Sequence, residues 1–414
     1  MFKNYLKIAF KVLLRRKFFT FISLFAISFT LIILMVATAL LDHVFGAMPP
    51  ENKMDRTLGI YMMSFVGPHG GRYGAGAGYA FLDRHVRTIP QAEKVSVFTT
   101  PNQVYSYKNG ERIASYIKRT DGQFWEIMEF KFLEGGPFTA EDDKQANFVA
   151  VINEAMRSKF FGGEPAVGKS LDVDGQRFRV IGVVANVPML RLTSFSDIWI
   201  PISASKTDTY RTQTMDGDFQ AVILARRAED FPAIKAEFQS RLTQVEFTDP
   251  REFNRAIGAA ETTFEFFSRM TTFSQEQQQP KALLAVIILL MVLFMLLPTV
   301  NLININVSRI LERASEIGVR KAFGASSWTL VGQFVVENVT LTLVGGAIGF
   351  TGSLLALRLI SESGVIAYAD FHVNYRIFLY GLALTIFLGL FSGVYPAWKM
   401  SRLHPVVALK GGAR

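Results

Sequence analysis

The chain has 414 residues, of which 50% are hydrophobic and only 19% are charged. Soluble proteins carry about 25% charged residues, so this composition indicates a membrane protein. Its aromatic and branched apolar content excludes an intrinsically disordered chain. The absence of cysteine excludes disulfides, thiol catalysis and Cys-ligated metals. The formal net charge is +9, which in a soluble protein would favour nucleic-acid binding.

Four long apolar stretches account for this composition, and each can cross a hydrocarbon core of about 30 Å as a helix. The predicted transmembrane helices are 18–41, 282–307, 328–357 and 377–398. Lys and Arg cluster before the first, between the second and third, and after the fourth. Such clusters in short flanking segments mark the cytoplasmic side. Both termini and the 308–327 loop are therefore predicted to be cytoplasmic, and nucleic acid is not needed to explain the charge.

A cleaved signal peptide is the alternative interpretation of the first apolar stretch. The basic start and the small residues Ala37, Thr38 and Ala39 fit that alternative. However, the apolar run 18–41 is longer than the 7–15 residues of a signal-peptide core. Its length favours a transmembrane helix.

The long segment 42–281 is predicted to be a folded extracytoplasmic α+β domain, because strand and helix patterns interleave along it. Strands are predicted at 57–64, 94–100, 104–107, 113–118, 148–152, 178–185, 198–202 and 219–225, and helices at 79–89, 153–161 and 230–245. Asn109 and Gly110 predict a hairpin turn. The glycine-rich 67–78 segment predicts a mobile loop, and 262–281 a polar helical stalk.

The sequence GEPAVGKS at 163–170 matches the phosphate-binding pattern GxxxxGK[ST]. A working phosphate loop needs a strand before it and a helix beginning at the lysine. Here a predicted helix precedes the pattern and a predicted strand follows it. The segment is therefore interpreted as a turn.

Other catalytic patterns are missing from the sequence. The five histidines stand apart without metal-ligand spacing, and there is no GxSxG nucleophile elbow. Asp142, Asp143, Asp172 and Asp174 are interpreted as solvated turn residues. We expect no catalytic residue, bound metal or cofactor in this chain.

The predicted cytoplasmic loop 308–327 has a helical rhythm of charged residues, and Gly324 suits a C-terminal cap. Glu316 and Arg320 form an attractive i,i+4 pair. One interpretation is a solvated loop helix, which the residues alone favour. The other is a rigid lever that presents charge and small residues to a partner protein.

Several motifs carry a resemblance to a known family: EIGVRKAFGAS at 316–326, the segments 333–337 and 345–349, and the ending 395–409. They are similar to the signature of the MacB/FtsX-type ABC transporter permeases. Segment 161–169 and the strand after it resemble the extracytoplasmic domain of the family. Some members carry a fused ATPase domain, whereas here only 399–414 follow the last predicted helix. We therefore expect the ATPase to be a separate protein.

The resemblance implies an α-helical inner-membrane protein with four transmembrane helices, one before and three after a large periplasmic domain. It also implies a cytoplasmic amphipathic segment at 1–17, a short periplasmic loop at 358–376 and a second permease copy, in either a homodimer or a heterodimer. ATP and Mg²⁺ would reside on the partner ATPase, whose closure would move the periplasmic domain by mechanotransmission. The residues that the resemblance assigns to ATPase coupling are Arg309, Glu312, Arg313, Glu316, Ile317, Gly318, Arg320, Lys321, Gly324 and Ala325.

Three features within the predicted helices bear on mechanism. The first, second and fourth helices contain no Asp, Glu, Lys or Arg. This favours helices that transmit movement over helices that form an ion pathway. Glu337 in the third has two open interpretations: a functional role, or snorkelling or an interhelical bond. Gly345 and Gly349 form a GxxxG motif, interpreted as close packing within the subunit, with a dimer seam as the alternative.

Three functional classes remain open. The first is a MacB-like permease that exports peptides, lipoproteins or toxic compounds with a periplasmic adaptor and an outer-membrane channel; LolC/LolE-like lipoprotein release is a subclass. The second is an FtsX-like regulator that activates a cell-wall hydrolase. The third is an unrelated membrane-anchored sensor. The size of the predicted domain favours the first.

Overall fold

The computed structural model describes residues 2–15, 17–108, 110–212, 214–271, 278–312, 319, 323 and 326–401. It divides into two compact units. The helical unit comprises Met1–Leu41, Leu284–Val365 and Asp370–Arg414, and the domain unit comprises Asp42–Leu283 and Ile366–Ala369. A four-residue piece from between the last two helices thus folds with the domain.

The described residues contain eleven α-helices and fourteen strands, besides short 3-10 and π-helical turns. The helices are α1 Phe2–Arg15, α2 Lys17–Phe45, α3 Tyr79–Phe81, α4 Phe124–Ile127, α5 Ala140–Lys144, α6 Glu154–Phe161, α7 Phe231–Thr243, α8 Thr263–Thr271, α9 Pro280–Glu312, α10 Ser327–Glu362 and α11 Tyr375–Ser401. The strands are β1 Thr57–Ile60, β2 Met63–Val66, β3 Arg72–Ala77, β4 Ala92–Thr99, β5 Asn102–Lys108, β6 Glu111–Thr120, β7 Phe132–Gly135, β8 Val149–Asn153, β9 Ser170–Val173, β10 Gln176–Val184, β11 Ile198–Pro201, β12 Asp216–Gly217, β13 Phe219–Ala225 and β14 Arg255–Ile257.

The helical unit is built from long apolar helices. Over the described residues, Lys17–Phe45 and Val331–Glu362 are long and apolar enough to cross a membrane. The corresponding apolar parts of α9 and α11, Pro280–Leu296 and Tyr375–Phe387, are shorter. These helices agree with a membrane protein, and the number of four crossings stays a prediction.

The domain unit contains a mixed sheet with the strand order β14-β2-β3-β13-β4-β6-β11-β8-β10-β7. β10 pairs with β8 in parallel, and β11 pairs with β6 in parallel. The other described pairs are antiparallel, including β13 with β4 and the β5–β6 hairpin. Helices α3, α6 and α7 lie between strands in the chain, as in an α+β domain.

Local signals in the sequence explain several boundaries of these elements. The Asn153 side chain accepts a hydrogen bond from the Met156 amide at 2.8 Å and so caps the start of α6. Gly162 ends that helix in the left-handed conformation at φ 66°. The predicted hairpin is confirmed, because β5 and β6 pair in register down to Lys108 and Glu111.

Three clusters of buried apolar side chains form the core of the domain. One contains strands β1, β2 and β13 together with Ile234, Phe238 and Leu242 of α7. A second contains Trp125 and Trp199, and the third lies around β8, β9 and β10. Strands near the middle of the sheet are buried along most of their length, which explains their continuous apolar sequences.

Two predictions about the domain were wrong. The 67–78 segment contains β3, which pairs with β2, β12 and β13. Glycine is needed there for a close backbone approach, since a Cβ on Gly76 would lie 2.7 Å from the Phe219 carbonyl oxygen. The single strand predicted at 57–64 is two strands, β1 and β2. Glycine content therefore misled the sequence interpretation where backbones pack tightly.

Candidate functional site

Most of the predicted coupling segment lies outside the described residues. This applies to Arg313, Glu316, Ile317, Gly318, Arg320, Lys321, Gly324 and Ala325. Arg309 and Glu312 belong to the end of α9, and the isolated residue Phe323 is strongly exposed. Ser326 caps α10 by accepting a hydrogen bond from the Thr329 amide at 3.1 Å. The role of this segment in coupling stays a prediction.

Glu337 lies on α10 with almost no exposed surface, at 2%. Gln333, one turn earlier, lies 3.5 Å from its carboxylate, and Asn338 is also buried. The carboxylate is therefore packed inside the helical unit. A snorkelling side chain would instead extend to an exposed position. Polar side chains between apolar helices act as specific interhelical contacts.

The two glycines of the GxxxG motif lie where α10 packs on α2. A Cβ on Gly345 would lie 2.8 Å from Ile27, and one on Gly349 would lie 3.1 Å from Leu31. Ser28 contributes backbone atoms 3.2 Å from the same Gly349 position. At both glycines α10 therefore approaches α2 of the same chain closely, and the role of the motif in packing stays a prediction.

The segment that matches the phosphate-loop pattern is a turn, as predicted. Gly168 has φ 86°, and Ser170, where a phosphate loop would continue into a helix, begins β9. The Lys169 ammonium lies 3.1 Å from the Glu164 carboxylate. The lysine thus pairs with an acid of its own turn, and no helix N-terminus is present in this fully described segment to bind phosphate.

A polar cleft of about 320 Å³ opens in the domain unit. Arg119 and Lys206 line it together with Asp216 and Asp218, and Tyr210 forms part of its wall. The volume is in the range of small-molecule pockets, about 300–1,000 Å³. Because the two basic and two acidic side chains balance, these residues favour neither an anion nor a cation.

Lys118 is a fully buried cation in the middle of the domain. Its ammonium donates hydrogen bonds to the carbonyl oxygens of Thr193 at 2.5 Å and Leu192 at 3.3 Å. It also lies 5.0 Å from the centre of the Phe98 ring. Burial lowers the pKa of Lys118 from 10.5 to about 7. Sequence reasoning missed this residue, because a lysine in a strand pattern normally points to solvent.

A buried charge pair anchors the stalk that precedes α9. Arg269 on α8 donates to both carboxylate oxygens of Glu261, at 2.5 and 3.1 Å. Gln278 donates to the same carboxylate at 3.1 Å, and Arg269 also donates to the Met62 carbonyl oxygen. Burial raises the pKa of Glu261, while Arg269 opposes that rise. The chain entering α9 is therefore tied to the domain by paired charges.

A mixed α+β domain placed after the first of several apolar helices defines a class: a membrane protein with a large domain inserted in its helical unit. The family model described as the MacB-like periplasmic core domain matches residues 20–241. That described as the FtsX-like permease C-terminal matches residues 285–405. The chain belongs to this family of ABC transporter permeases, which have a MacB-like periplasmic domain and an FtsX-like membrane region.

Curated relatives include permeases and fused permeases. The chain is 27% identical over 328 residues to the pyoverdine export ATP-binding/permease protein PvdT of Pseudomonas aeruginosa, covering 78% of this chain and 46% of PvdT. It is 24% identical to the ABC transporter permease YknZ of Bacillus subtilis, covering 78% and 77%. For the macrolide export ATP-binding/permease protein MacB of Pasteurella multocida the identity is 25%, covering 69% and 41%. The chain thus spans less than half the length of PvdT and MacB.

Two solved structures that are similar to part of this chain are extracytoplasmic regions. The periplasmic region of MacB from Actinobacillus actinomycetemcomitans shares 17% identity with a TM-score of 0.35, covering 45% of this chain and 83% of that one. The extracellular domain of YknZ shares 16% identity with a TM-score of 0.34, covering 44% and 90%.

Proposed function

We propose that this chain is the permease subunit of a MacB-like ABC transporter. In this proposal, a separate cytoplasmic ATPase binds and hydrolyses ATP, and the helical unit converts that cycle into movement of a periplasmic domain. The observation that carries the proposal is the pair of family matches, which together cover 20–241 and 285–405. A second permease copy and four membrane crossings with cytoplasmic termini are parts of the same proposal.

Two features support movement rather than ion conduction. Three of the four apolar stretches contain no Asp, Glu, Lys or Arg, so they offer no evident proton or ion relay. Glu337 in the remaining stretch lies in the helix packing. Helices of this kind transmit displacement through their packing contacts.

The proposed activity is export of a peptide, lipoprotein or toxic compound from the periplasm. The names of two relatives, a pyoverdine exporter and a macrolide exporter, support an export role. A periplasmic adaptor and an outer-membrane channel would then complete the path.

An FtsX-like role in activating a cell-wall hydrolase is the second candidate, supported by the match over residues 285–405. LolC/LolE-like lipoprotein release is a third. Capture of an adaptor, a hydrolase or a lipoprotein by the tagged full chain would separate them.

The predicted coupling segment provides the test of the proposal. Glu316→Lys should weaken binding of the cognate ATPase, because breaking a buried interfacial charge pair costs about 2–5 kcal/mol, or roughly 30-fold or more in affinity. Gly324→Trp should act similarly by steric exclusion. Co-purification of the ATPase and its hydrolysis rate in nanodiscs are the measurements. Glu229→Lys, the same charge change on an exposed residue of the domain, is the matched control. Wild-type behaviour of both segment variants would contradict a coupling role.

A further inference from the structure

The segment 187–197, which we call the junction loop, connects β10 to β11 and contains no assigned helix or strand. Its residues Val187, Arg191 and 193–197 are nevertheless buried. Arg191 and Asp197 have almost no exposed surface, and Ser194 has none. Burying charged groups is costly unless each finds partners. The hydrogen bonds and ion pairs of these buried groups therefore identify the chain segments that the loop holds in place.

The first set of contacts reaches the chain that follows α2. Arg191 donates a hydrogen bond to the Gly46 carbonyl oxygen at 2.8 Å, one residue after α2 ends. The Glu51 carboxylate accepts from the Ser194 amide at 3.0 Å and from its hydroxyl at 2.6 Å. Arg191 and Glu51 lie 3.6 Å apart as a buried ion pair. The segment 46–51 is thus bonded to the junction loop at both ends.

The second set reaches the stalk before α9. The Tyr61 hydroxyl lies 3.2 Å from the Thr193 hydroxyl and 3.4 Å from that of Thr263, the first residue of α8. Burial raises the pKa of Tyr61 to about 12, so the hydroxyl keeps its proton and remains a donor. The carbonyl oxygen of Thr193 also accepts from Lys118 of β6.

The third set reaches the piece of chain between α10 and α11. The Tyr368 hydroxyl donates to the Asp197 carboxylate at 2.7 Å, and the Met189 amide donates to the Ala367 carbonyl oxygen at 3.0 Å. Asp197 also accepts from the Asn153 side chain and the Tyr116 amide, both at 2.8 Å. Both of these partners are on strands of the sheet.

We propose that the junction loop is the element through which displacement of the membrane helices reaches the sheet of the domain. The inference rests on the proposed function. The chain after α2 and the piece between α10 and α11 are hydrogen-bonded directly to this one loop. The stalk before α9 reaches it through the Tyr61 hydroxyl, which lies between Thr263 and Thr193. The loop itself is bonded to β6 and β8 through Lys118, Tyr116 and Asn153. Short, buried, charge-assisted hydrogen bonds are directional, so such a loop transmits a shift rather than absorbing it.

The test uses the full chain assembled with its ATPase in nanodiscs, with a fluorescent label on Leu192→Cys. The chain has no cysteine of its own, and Leu192 is partly exposed on the junction loop. Trapping with ATP and vanadate should shift the emission of the label. Tyr368→Phe removes the hydroxyl bond to Asp197 and keeps the ring, and it should reduce the shift at least threefold while hydrolysis stays within twofold.

Tyr105→Phe is the matched control, because it removes a 3.3 Å hydroxyl bond to Gln103 that does not involve the junction loop. Glu51→Gln, checked for folding by thermal unfolding, should reduce the shift in the same way as Tyr368→Phe. In complexes that bind the ATPase and hydrolyse ATP, two results would overturn this inference without touching the proposed function. One is no change in the emission of the label in the wild-type chain, and the other is a full-sized change in both loop variants. Failure of the wild-type chain to bind any cognate ATPase would instead overturn the proposed function.

Discussion

Lys118 illustrates how the domain uses buried charge at the scale of single residues. Its ammonium is compensated by two carbonyl oxygens and an aromatic face rather than by a carboxylate at contact distance. Burial has the largest influence on its pKa, and the Glu51 charge acts in the opposite direction. The free-energy cost of removing the ammonium from water offsets the free energy gained from its hydrogen bonds. Lys118 therefore contributes more to the position of the junction loop than to the stability of the domain.

This arrangement predicts a pH dependence of stability. The folded pKa of about 7 lies below the unfolded value of 10.5, so between these values the unfolded chain binds more protons. The free energy of unfolding should therefore rise as pH increases from about 7 towards 10. Below pH 7 the free-energy cost of burying the charged lysine is present in full. Lys118→Met should remove this rise.

Denaturant unfolding of the full chain in detergent measures this change, followed by tryptophan fluorescence, to which the buried Trp125 and Trp199 contribute. The free energy of unfolding is compared at about pH 7 and about pH 9.5, which span most of the expected rise. Lys144→Met, which changes an exposed lysine, should retain the wild-type slope. Equal slopes in the Lys118→Met variant and the wild type would show that Lys118 is not the titrating group.

At the scale of elements, the packing of α10 on α2 depends on missing side chains. A Cβ added to Gly349 would lie 3.1 to 3.2 Å from the backbone of Ser28 and the side chain of Leu31, so a larger side chain would press against α2. On the same helix, a Cβ added to Gly332 would have no atom within 4 Å. The two glycines therefore differ in what they contact, although both lie in one helix.

This difference predicts opposite outcomes for one substitution. Gly349→Val should destabilise the helical unit by about 1–3 kcal/mol, the usual cost of overpacking. Gly332→Val should leave stability unchanged or slightly raised, because valine has a higher helix propensity than glycine. Thermal unfolding in the same detergent compares the two variants. An equal loss in both would mean that glycine matters here only through backbone flexibility.

The elements also show what the sequence could and could not predict. The β5–β6 hairpin followed from a local signal, the Asn-Gly turn, and α6 agrees with the predicted helix 153–161 to within one residue. The junction loop could not be predicted, because its partners are remote: Glu51 is 143 residues from Ser194, and Tyr368 is 171 from Asp197. No local periodicity encodes such contacts. The family, in contrast, was recognisable from short motifs at 316–326 and 395–409.

At the scale of the whole molecule, charge placement along the sequence predicts which side of the membrane each part occupies. Single cysteines in the cysteine-free chain can report this directly. In intact cells, a membrane-impermeant maleimide should label Glu111→Cys in the domain and leave Lys17→Cys unlabelled until the cells are opened. Labelling of Lys17→Cys alone would reverse the topology, and labelling of both in intact cells would contradict a membrane crossing between them.

The central claim is that an ATP cycle on one side of the membrane moves the domain on the other. The most direct measurement is the distance between spin labels on Glu111→Cys in the two copies of the assembled transporter, reconstituted with its ATPase in nanodiscs. The distance distribution should differ between the nucleotide-free complex and the complex trapped with ATP and vanadate. Identical distributions in a complex that hydrolyses ATP would contradict the claim.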